Sequence, residues 1–183
     1  MTNLHEEKVA EAIQGDKEAF GDLYEIFLDE IYHYIFYRVE RAEEAEDLTE
    51  IVFLRAWQAL GQNPPREIPF RLWLYRIAHN AVIDHYRTRK NNLALDEAPP
   101  LAAPDDSLEY LVGQREQQAM IDRTMLQLKA DHQQILTYRF FAGLSHREIA
   151  LVMERDEQAV RALQYRAIKA LRSLLVSQEG FHV

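Results

Sequence analysis

The segment from Gly143 to Arg172 constrains the fold most, because it contains the start signals of two successive short helices. Ser145 and Glu148 have the spacing of a capping box, in which each side chain accepts a hydrogen bond from the other residue's backbone N–H. The sequence therefore predicts a helix that starts at Ser145, and Asp156 is placed to cap a second one. Two short helices joined by a tight turn are typical of a helix-turn-helix, whose second helix can enter the major groove of DNA.

The second of these helices has a basic exposed face. No acidic residue occurs from Gln158 to Gln178, whereas this stretch contains Arg161, Arg166, Lys169 and Arg172. Such a face suits a groove lined by phosphates. The same pattern also fits two packed helices without a nucleic-acid role, since basic residues are favourable near a helix C-terminus. The helix-turn-helix alone therefore leaves DNA binding open.

Helical periodicity extends through most of the chain. Apolar residues recur at intervals of three and four from Lys17 to about Val39, from about Ala45 to Leu60 and from Phe70 to Arg89. Residues 91–113 differ, because they contain three prolines, five carboxylates and no basic residue. We predict an all-α protein in which this segment is an acidic flexible linker between two small helical domains, residues 1–90 and 114–183.

The composition excludes several classes of protein. The chain has no cysteine, so it has neither a disulfide framework nor a thiolate metal site. No apolar run approaches the roughly 18 residues of a membrane span, and the N-terminus MTNLHEEKVAEA is acidic, unlike a signal peptide. A glycine-rich phosphate loop, a Ser-His-Asp signature and a His-x-x-x-His pair are also missing. We expect a cytoplasmic protein with no catalytic residue, cofactor, metal or small-molecule substrate, and no membrane insertion.

The net charge of −9 is unevenly distributed. Residues 114–183 carry ten basic and eight acidic side chains, and residues 70–90 carry five basic side chains against Asp84 alone. The chain therefore presents two local basic surfaces on an acidic protein. We expect weak DNA binding by the isolated chain, since few phosphate contacts are available.

Three segments, in this order, resemble conserved regions of the bacterial sigma factors of the extracytoplasmic-function (ECF) group of the sigma-70 family: EAEDLTEIVFLRAWQAL, PFRLWLYRIAHNAVIDHYRTRK and LKADHQQILTYRFFAGLSHREIALVMERDEQAVRALQYRAIKALRSL. The resemblance implies that residues 1–90 are sigma region 2, which binds core RNA polymerase and reads the minus-ten element. It implies that residues 114–183 are sigma region 4, whose helix-turn-helix reads the minus-thirty-five element. Promoter-specific transcription initiation is the implied function, with core RNA polymerase, promoter DNA and an anti-sigma factor as partners.

The resemblance also implies site residues. For polymerase binding, the family pattern D-L-x-x-x-x-F-x-R-A-W points to the exposed residues Asp47, Glu50 and Arg55, whereas Leu48, Phe53 and Trp57 suit the core. For the minus-ten element, where a polar loop would hold a flipped base, it points to Asn63, Arg71, Arg76, His79, Asn80 and Arg87. For the minus-thirty-five element, it points to His146, Arg147, Glu157, Gln158, Arg161, Gln164, Tyr165 and Arg166.

The sequence departs from the family pattern at three places. Glu50 and Ile51 replace a common Gln-Glu pair, and Glu154 replaces the glycine that is common at the helix-turn-helix turn. On the recognition helix, where Thr, Lys and Ser are common, this chain has Ala159, Arg161 and Ala162. Two alternative functions stay open at this point. One is a sigma-like decoy that binds an anti-sigma regulator without initiating transcription, and the other is a plain helix-turn-helix activator that binds duplex DNA without polymerase.

Overall fold

The computed structural model describes residues 2–39, 41–65, 67–93, 120–121 and 123–179. Every regular element in these ranges is helical, so the predicted all-α fold is confirmed. The helices are α1 (Thr2–Ile13), α2 (Lys17–Phe36), α3 (Ala42–Leu60), α4 (Phe70–Leu93), α5 (Ala130–Leu136), a π-helix (Thr137–Phe141), α6 (His146–Met153) and α7 (Glu157–Glu179). The predicted acidic linker lies outside the described residues except for 91–93, which end α4.

Local capping signals determine where the helices begin. The Ser145 side chain accepts a hydrogen bond from the backbone of Glu148 at 3.2 Å, and Glu148 Oε2 accepts one from the Ser145 backbone at 2.8 Å. The predicted capping box is therefore present. Although burial opposes ionisation, the hydrogen bonds from Ser145 lower the pKa of the Glu148 carboxyl. Asp16 caps α2 in a similar way, and Asp156 accepts from the backbone of Ala159 at 2.9 Å to cap α7.

The first domain, α1 to α4, is organised around α2. This helix contacts α1, α3 and α4, and α3 in turn packs against α4. Aromatic pairs join α2 to α3, with ring centroids 5.0 Å apart for Phe20 and Trp57 and 4.7 Å apart for Tyr24 and Phe53. The apolar periodicity predicted for Lys17 to about Val39 thus corresponds to an aromatic packing surface.

The second domain packs α5 and α6 against α7. Its core contains Ile135, Leu136, Ile149, Val160 and Leu163, each less than 5% exposed. The sequence predicts one helix from His132 to Phe141, but the last five of these residues form a π-helix, in which the Ala142 N–H donates to the Thr137 carbonyl at 3.0 Å. The wider turn brings Tyr138 against the first domain.

The two domains pack against each other through three buried tyrosines. Tyr34 of α2 stacks on Tyr138 with ring centroids 5.1 Å apart, and Tyr75 of α4 meets both rings edge-on at 5.1 and 5.7 Å. All three side chains are at most 1% exposed. Each buried aromatic ring removes a large apolar area from water, so this cluster is a major part of the contact between the domains. We call this packing the closed arrangement.

Two basic side chains are buried beside the tyrosine cluster. Arg38 is 1% exposed, and its Nη1 donates to the Tyr34 hydroxyl at 3.0 Å. Arg38 Nε and His79 Nδ1 are buried without a hydrogen-bond partner among the described residues. Burial lowers the pKa of His79 to about 4; the charge of Arg38 acts in the same direction, and Asp131 of the second domain opposes it. His79 is therefore neutral at pH 7.

This burial predicts a pH-dependent stability. Because the pKa of His79 is about 4 in the folded chain and 6.5 when exposed, the unfolded state binds more protons between these values. The stability contributed by neutral His79 is fully present above pH 6.5 and is lost as the pH falls toward 4. Between pH 7 and pH 5, the free energy of unfolding, measured with urea, should therefore fall more for the wild type than for His79→Gln. An equal fall in the two proteins would contradict the burial of neutral His79.

Candidate nucleic-acid and polymerase interfaces

A cavity of about 390 Å³ opens where the α3–α4 loop meets α4. It is lined by Gln62, Asn63, Pro64, Pro65, Glu67, Ile68, Trp73 and Arg76. The cavity combines an indole, which can stack on a base, with amide groups that can hydrogen-bond a base edge and a guanidinium that can bind a phosphate. Asn63 and Arg76, both predicted to contact the minus-ten element, line the same cavity.

Arg71, the second residue of α4, contacts both domains. Its Nε donates to Glu30 Oε1 at 2.6 Å, and its Nη2 donates to the carbonyl oxygen of Ala142, in the second domain, at 2.8 Å. Glu30 also accepts a hydrogen bond from the Tyr75 hydroxyl at 2.6 Å. Glu148 of α6 lies 4.0 Å from Arg71 Nη1. The charge of Arg71 is therefore already shared among acceptors of both domains.

Arg76 forms an ion pair between its Nη2 and Oε1 of Glu154, which lies in the turn between α6 and α7. His79 and Asn80 follow on α4 and border a second, polar cavity of about 330 Å³ between the domains. Arg87, with a side chain 75% exposed, approaches Asp84 at 3.4 Å. The resemblance implies that Arg71, Arg76, His79 and Asn80 contact the minus-ten element, and we call these four residues the single-strand face of α4. Arg87 lies further along the helix, and Asn63 lies in the loop.

The predicted polymerase contacts lie on α3. Asp47 and Glu50 are exposed, and Arg55 Nη1 is hydrogen-bonded to Asp84 of α4 at 3.0 Å. The same helix exposes two apolar residues that were not predicted from the sequence, Ile51 at 39% and Leu54 at 57%. The family pattern D-L-x-x-x-x-F-x-R-A-W gives no signal for these two residues, because both stand at positions that it leaves unspecified.

The other apolar residues of this segment divide between core and surface. Leu48 and Phe53 are buried, as expected from their positions. Trp57 is partly buried, and with Lys17, Phe20, Phe53 and Leu54 it lines a groove of about 380 Å³. The outer face of α3 is therefore an apolar strip with charged neighbours, which is a composition that suits a protein partner.

The helix-turn-helix consists of α6 and α7. On α7, Val160, Leu163 and Ala167 are buried, which leaves the opposite side of the helix open. That side exposes Gln158, Arg161, Tyr165 and Arg166, with Tyr165 72% exposed, and α6 exposes Arg147. Four of the predicted residues are paired with one another within the domain: His146 Nε2 lies 2.6 Å from Gln164 Oε1, and Arg161 pairs with Glu157 at 2.5 Å.

Several residues that shape these surfaces were not predicted from the sequence. Glu30, Tyr75 and Glu154 bind or border the single-strand face, and Arg38 lies buried beside His79. Only Glu154 carried a signal, because it stands where glycine is common in the family. Glu30 and Tyr75 are ordinary helix residues whose contacts join positions distant in sequence, and Arg38 lies in the turn that follows α2.

The described residues give no structural sign of metal chemistry or membrane spanning. In these ranges, no group of three or more His, Asp and Glu residues is arranged to hold a metal ion. Of the helices described, none combines the length and the apolarity that a membrane span requires.

The chain is similar to known proteins over most of its length. Residues 23–92 match Sigma-70 region 2 and residues 118–171 match Sigma-70, region 4. The ECF RNA polymerase sigma factor BldN of Streptomyces coelicolor is 39% identical over 176 residues, which cover 92% of this chain; the chain spans 65% of BldN. The RNA polymerase sigma-H factor of Pseudomonas aeruginosa is 32% identical over 186 residues, and the match covers 96% of each chain.

A solved structure has the same fold. CnrH, in complex with the cytosolic domain of CnrY, matches with a TM-score of 0.72 and 24% identity, over 95% of this chain and 98% of that one. The order of the two matched regions, the helical fold and the identity to relatives named as RNA polymerase sigma factors agree with one another. The chain therefore belongs to the sigma-70 family of RNA polymerase sigma factors, in its extracytoplasmic-function group.

Proposed function

We propose that the protein is a dissociable sigma subunit that binds core RNA polymerase and directs promoter-specific transcription initiation. The observation that carries this proposal is the cavity between the α3–α4 loop and α4, which unites Asn63, Trp73 and Arg76. A flipped base of the non-template strand would enter this cavity, with stacking and hydrogen bonds to offset the cost of extruding it. The rest of the single-strand face and Arg87 would follow the backbone of the same strand.

The second domain would bind the minus-thirty-five element through α7. Gln158, Arg161, Tyr165 and Arg166 occupy its exposed side, where a major groove would meet it. The remaining predicted residues would support this contact, with His146 holding Gln164 in place and Arg147 reaching a phosphate. Glu157 lies at the start of α7 and pairs with Arg161, so it would orient that side chain.

The outer face of α3 would bind the polymerase core. Asp47, Glu50 and Arg55 would provide charged contacts, and the exposed Ile51 and Leu54 would supply the apolar centre of the interface. Ile51 replaces a residue that is polar in the family pattern, so this chain would rely more on apolar contact at that position.

Three further features follow from this function. An anti-sigma protein would be a partner, as the anti-sigma factor NepR is for the sigma factor RpoE of Bartonella quintana. The site of action would be the bacterial cytoplasm, where polymerase and chromosomal DNA are found. The protein would bind and position nucleic acid without catalysing a reaction, because the described surfaces contain groups for binding and no paired acid, base and nucleophile.

Leu54→Asp tests the polymerase face. The substitution places a charge at the centre of the proposed apolar interface and should weaken binding to core polymerase by about tenfold or more. Because Leu54 is 57% exposed, the fold should be retained, which circular dichroism can check. Ile26→Asp is the matched control, since Ile26 is 40% exposed on α2. Equal affinities of the two variants for core polymerase would exclude α3 as the binding face.

Run-off transcription tests the function itself. Core polymerase should produce promoter-specific transcripts from fragments of the source genome only when this protein is added, and Arg76→Ala should abolish them. Arg123→Ala removes the same charge from an exposed position outside the proposed sites and should leave the transcripts unchanged. Polymerase binding without any transcript would indicate a decoy. Duplex binding without polymerase binding would indicate a conventional activator.

A further inference from the structure

We propose that the second domain inhibits the first in the closed arrangement, because its acceptor groups occupy the cations that single-stranded promoter DNA requires, and that Glu154 provides the closing ion pair. The role given to Arg71 and Arg76 in DNA binding rests on the proposed function. The contacts between the domains are independent of it.

The ion pair between Glu154 and Arg76 has the chemistry of a phosphate contact. The Glu154 carboxylate binds the guanidinium of a residue that also lines the proposed base cavity. A carboxylate and a phosphate bind the same donors of arginine, so Arg76 cannot serve both fully. While the domains are closed, Glu154 therefore competes with the DNA backbone.

Arg71 is occupied in a similar way. The Ala142 carbonyl, at the end of the π-helix, accepts from its Nη2 at 2.8 Å, and Glu148 lies 4.0 Å from its Nη1. These acceptors belong to the second domain, whereas Glu30 belongs to the first and would stay with Arg71 after opening. Opening the domains thus frees donors on two arginines of the single-strand face at the same time.

The backbone conformation of Glu154 favours glycine, so the turn itself does not explain why glutamate occupies this position. Its φ and ψ of 52° and 45° lie in the left-handed region, and no other residue except glycine has a positive φ in the described part of the chain. Glycine adopts this conformation without strain and would end α6 equally well. Glycine would lack the carboxylate that reaches Arg76, so the contact between the domains accounts for glutamate at this position.

The closed arrangement also contains features that favour opening. Arg38 Nε and His79 Nδ1 are buried at the interface without partners, and water can reach them once the domains separate. The polar cavity beside them is bordered by His79, Asn80 and Asp131 and extends to Glu154 and Arg155. Closure is thus opposed by unsatisfied polar groups and supported by the tyrosine cluster and the ion pairs, which leaves it reversible.

Distances between the domains test this proposal directly. The chain has no cysteine, so nitroxide labels at Gln58→Cys and Ser173→Cys, on exposed positions of α3 and α7, report only the intended pair. Pulsed electron paramagnetic resonance should show that Glu154→Gln raises the ratio of open to closed molecules by about two- to fivefold, the range for an exposed ion pair. Glu25→Gln removes an exposed carboxylate from α2 and should leave the distances unchanged.

Binding of a short fluorescent single strand of random sequence provides the second readout. Glu154→Gln should tighten this binding by about the same factor as it raises the ratio of open to closed molecules.

A charge exchange tests the ion pair itself. Arg76→Glu and Glu154→Arg should each open the domains, and the two together should restore the closed distance. This restoration would not occur if either variant had merely disrupted the fold.

The two proposals fail in different ways. If Glu154→Gln leaves the distances unchanged, the closing ion pair is excluded, whatever the result of the run-off assay. If the distances change but single-strand binding does not, the inhibition is excluded. A changed distance and tightened binding in a protein that supports no transcript would retain the inhibition and reject the sigma function.

Discussion

The packing of Tyr138 against Tyr34 and Tyr75 is the contact on which the described arrangement of the two domains depends. It buries three aromatic side chains and brings the end of the π-helix against α2 and α4. Once these rings are in place, Arg71 reaches the Ala142 carbonyl and Arg76 reaches Glu154. The apolar contact thus supplies the bulk of the burial. The polar contacts around it engage Arg71 and Arg76 with acceptors of the second domain.

The arrangement assigns two roles to one helix. α4 contributes to the core of the first domain on one side and meets the second domain on another, and the proposed DNA contacts lie along the second of these. Binding of single-stranded DNA and closure are therefore competing uses of the same cations. Polymerase binding would use α3, whose described residues take little part in the contact between the domains, so a closed chain would still present its polymerase face.

Local signals made most helix starts predictable. Ser145 and Asp156 cap their helices as expected, and Asp16 caps α2, because capping depends on residues within one turn. The packing of α4 was harder to predict. The periodicity directs Trp73, Leu74, Ile77 and Ala81 toward the core; Leu74 and Ala81 are buried, and Trp73 and Ile77 are partly buried against the core. Leu72, Tyr75 and Ala78 are buried as well. A helix with neighbours on two sides has no single apolar stripe, so its periodicity does not identify one buried face.

The candidate sites were predictable in type more than in detail. The basic residues of α4 and α7 follow from charge and from the family resemblance, but the partners of Arg71 and Arg76 do not, since Ala142 and Glu154 are more than seventy residues away. The burial of Arg38 was equally hidden, because a single charged residue after an amphipathic helix is normally exposed. Such contacts depend on how the domains meet, which no local pattern records.

The most direct measurement is run-off transcription by a protein locked in the closed arrangement. Tyr37 and Phe141, at the ends of α2 and the π-helix, have ring centroids 3.8 Å apart, and the chain has no other cysteine to interfere with a Tyr37→Cys, Phe141→Cys pair. Joined by a short reducible crosslinker, the protein should bind core polymerase but give no transcript, and reduction should restore transcription. Equal transcription by the locked and the reduced protein would contradict the account.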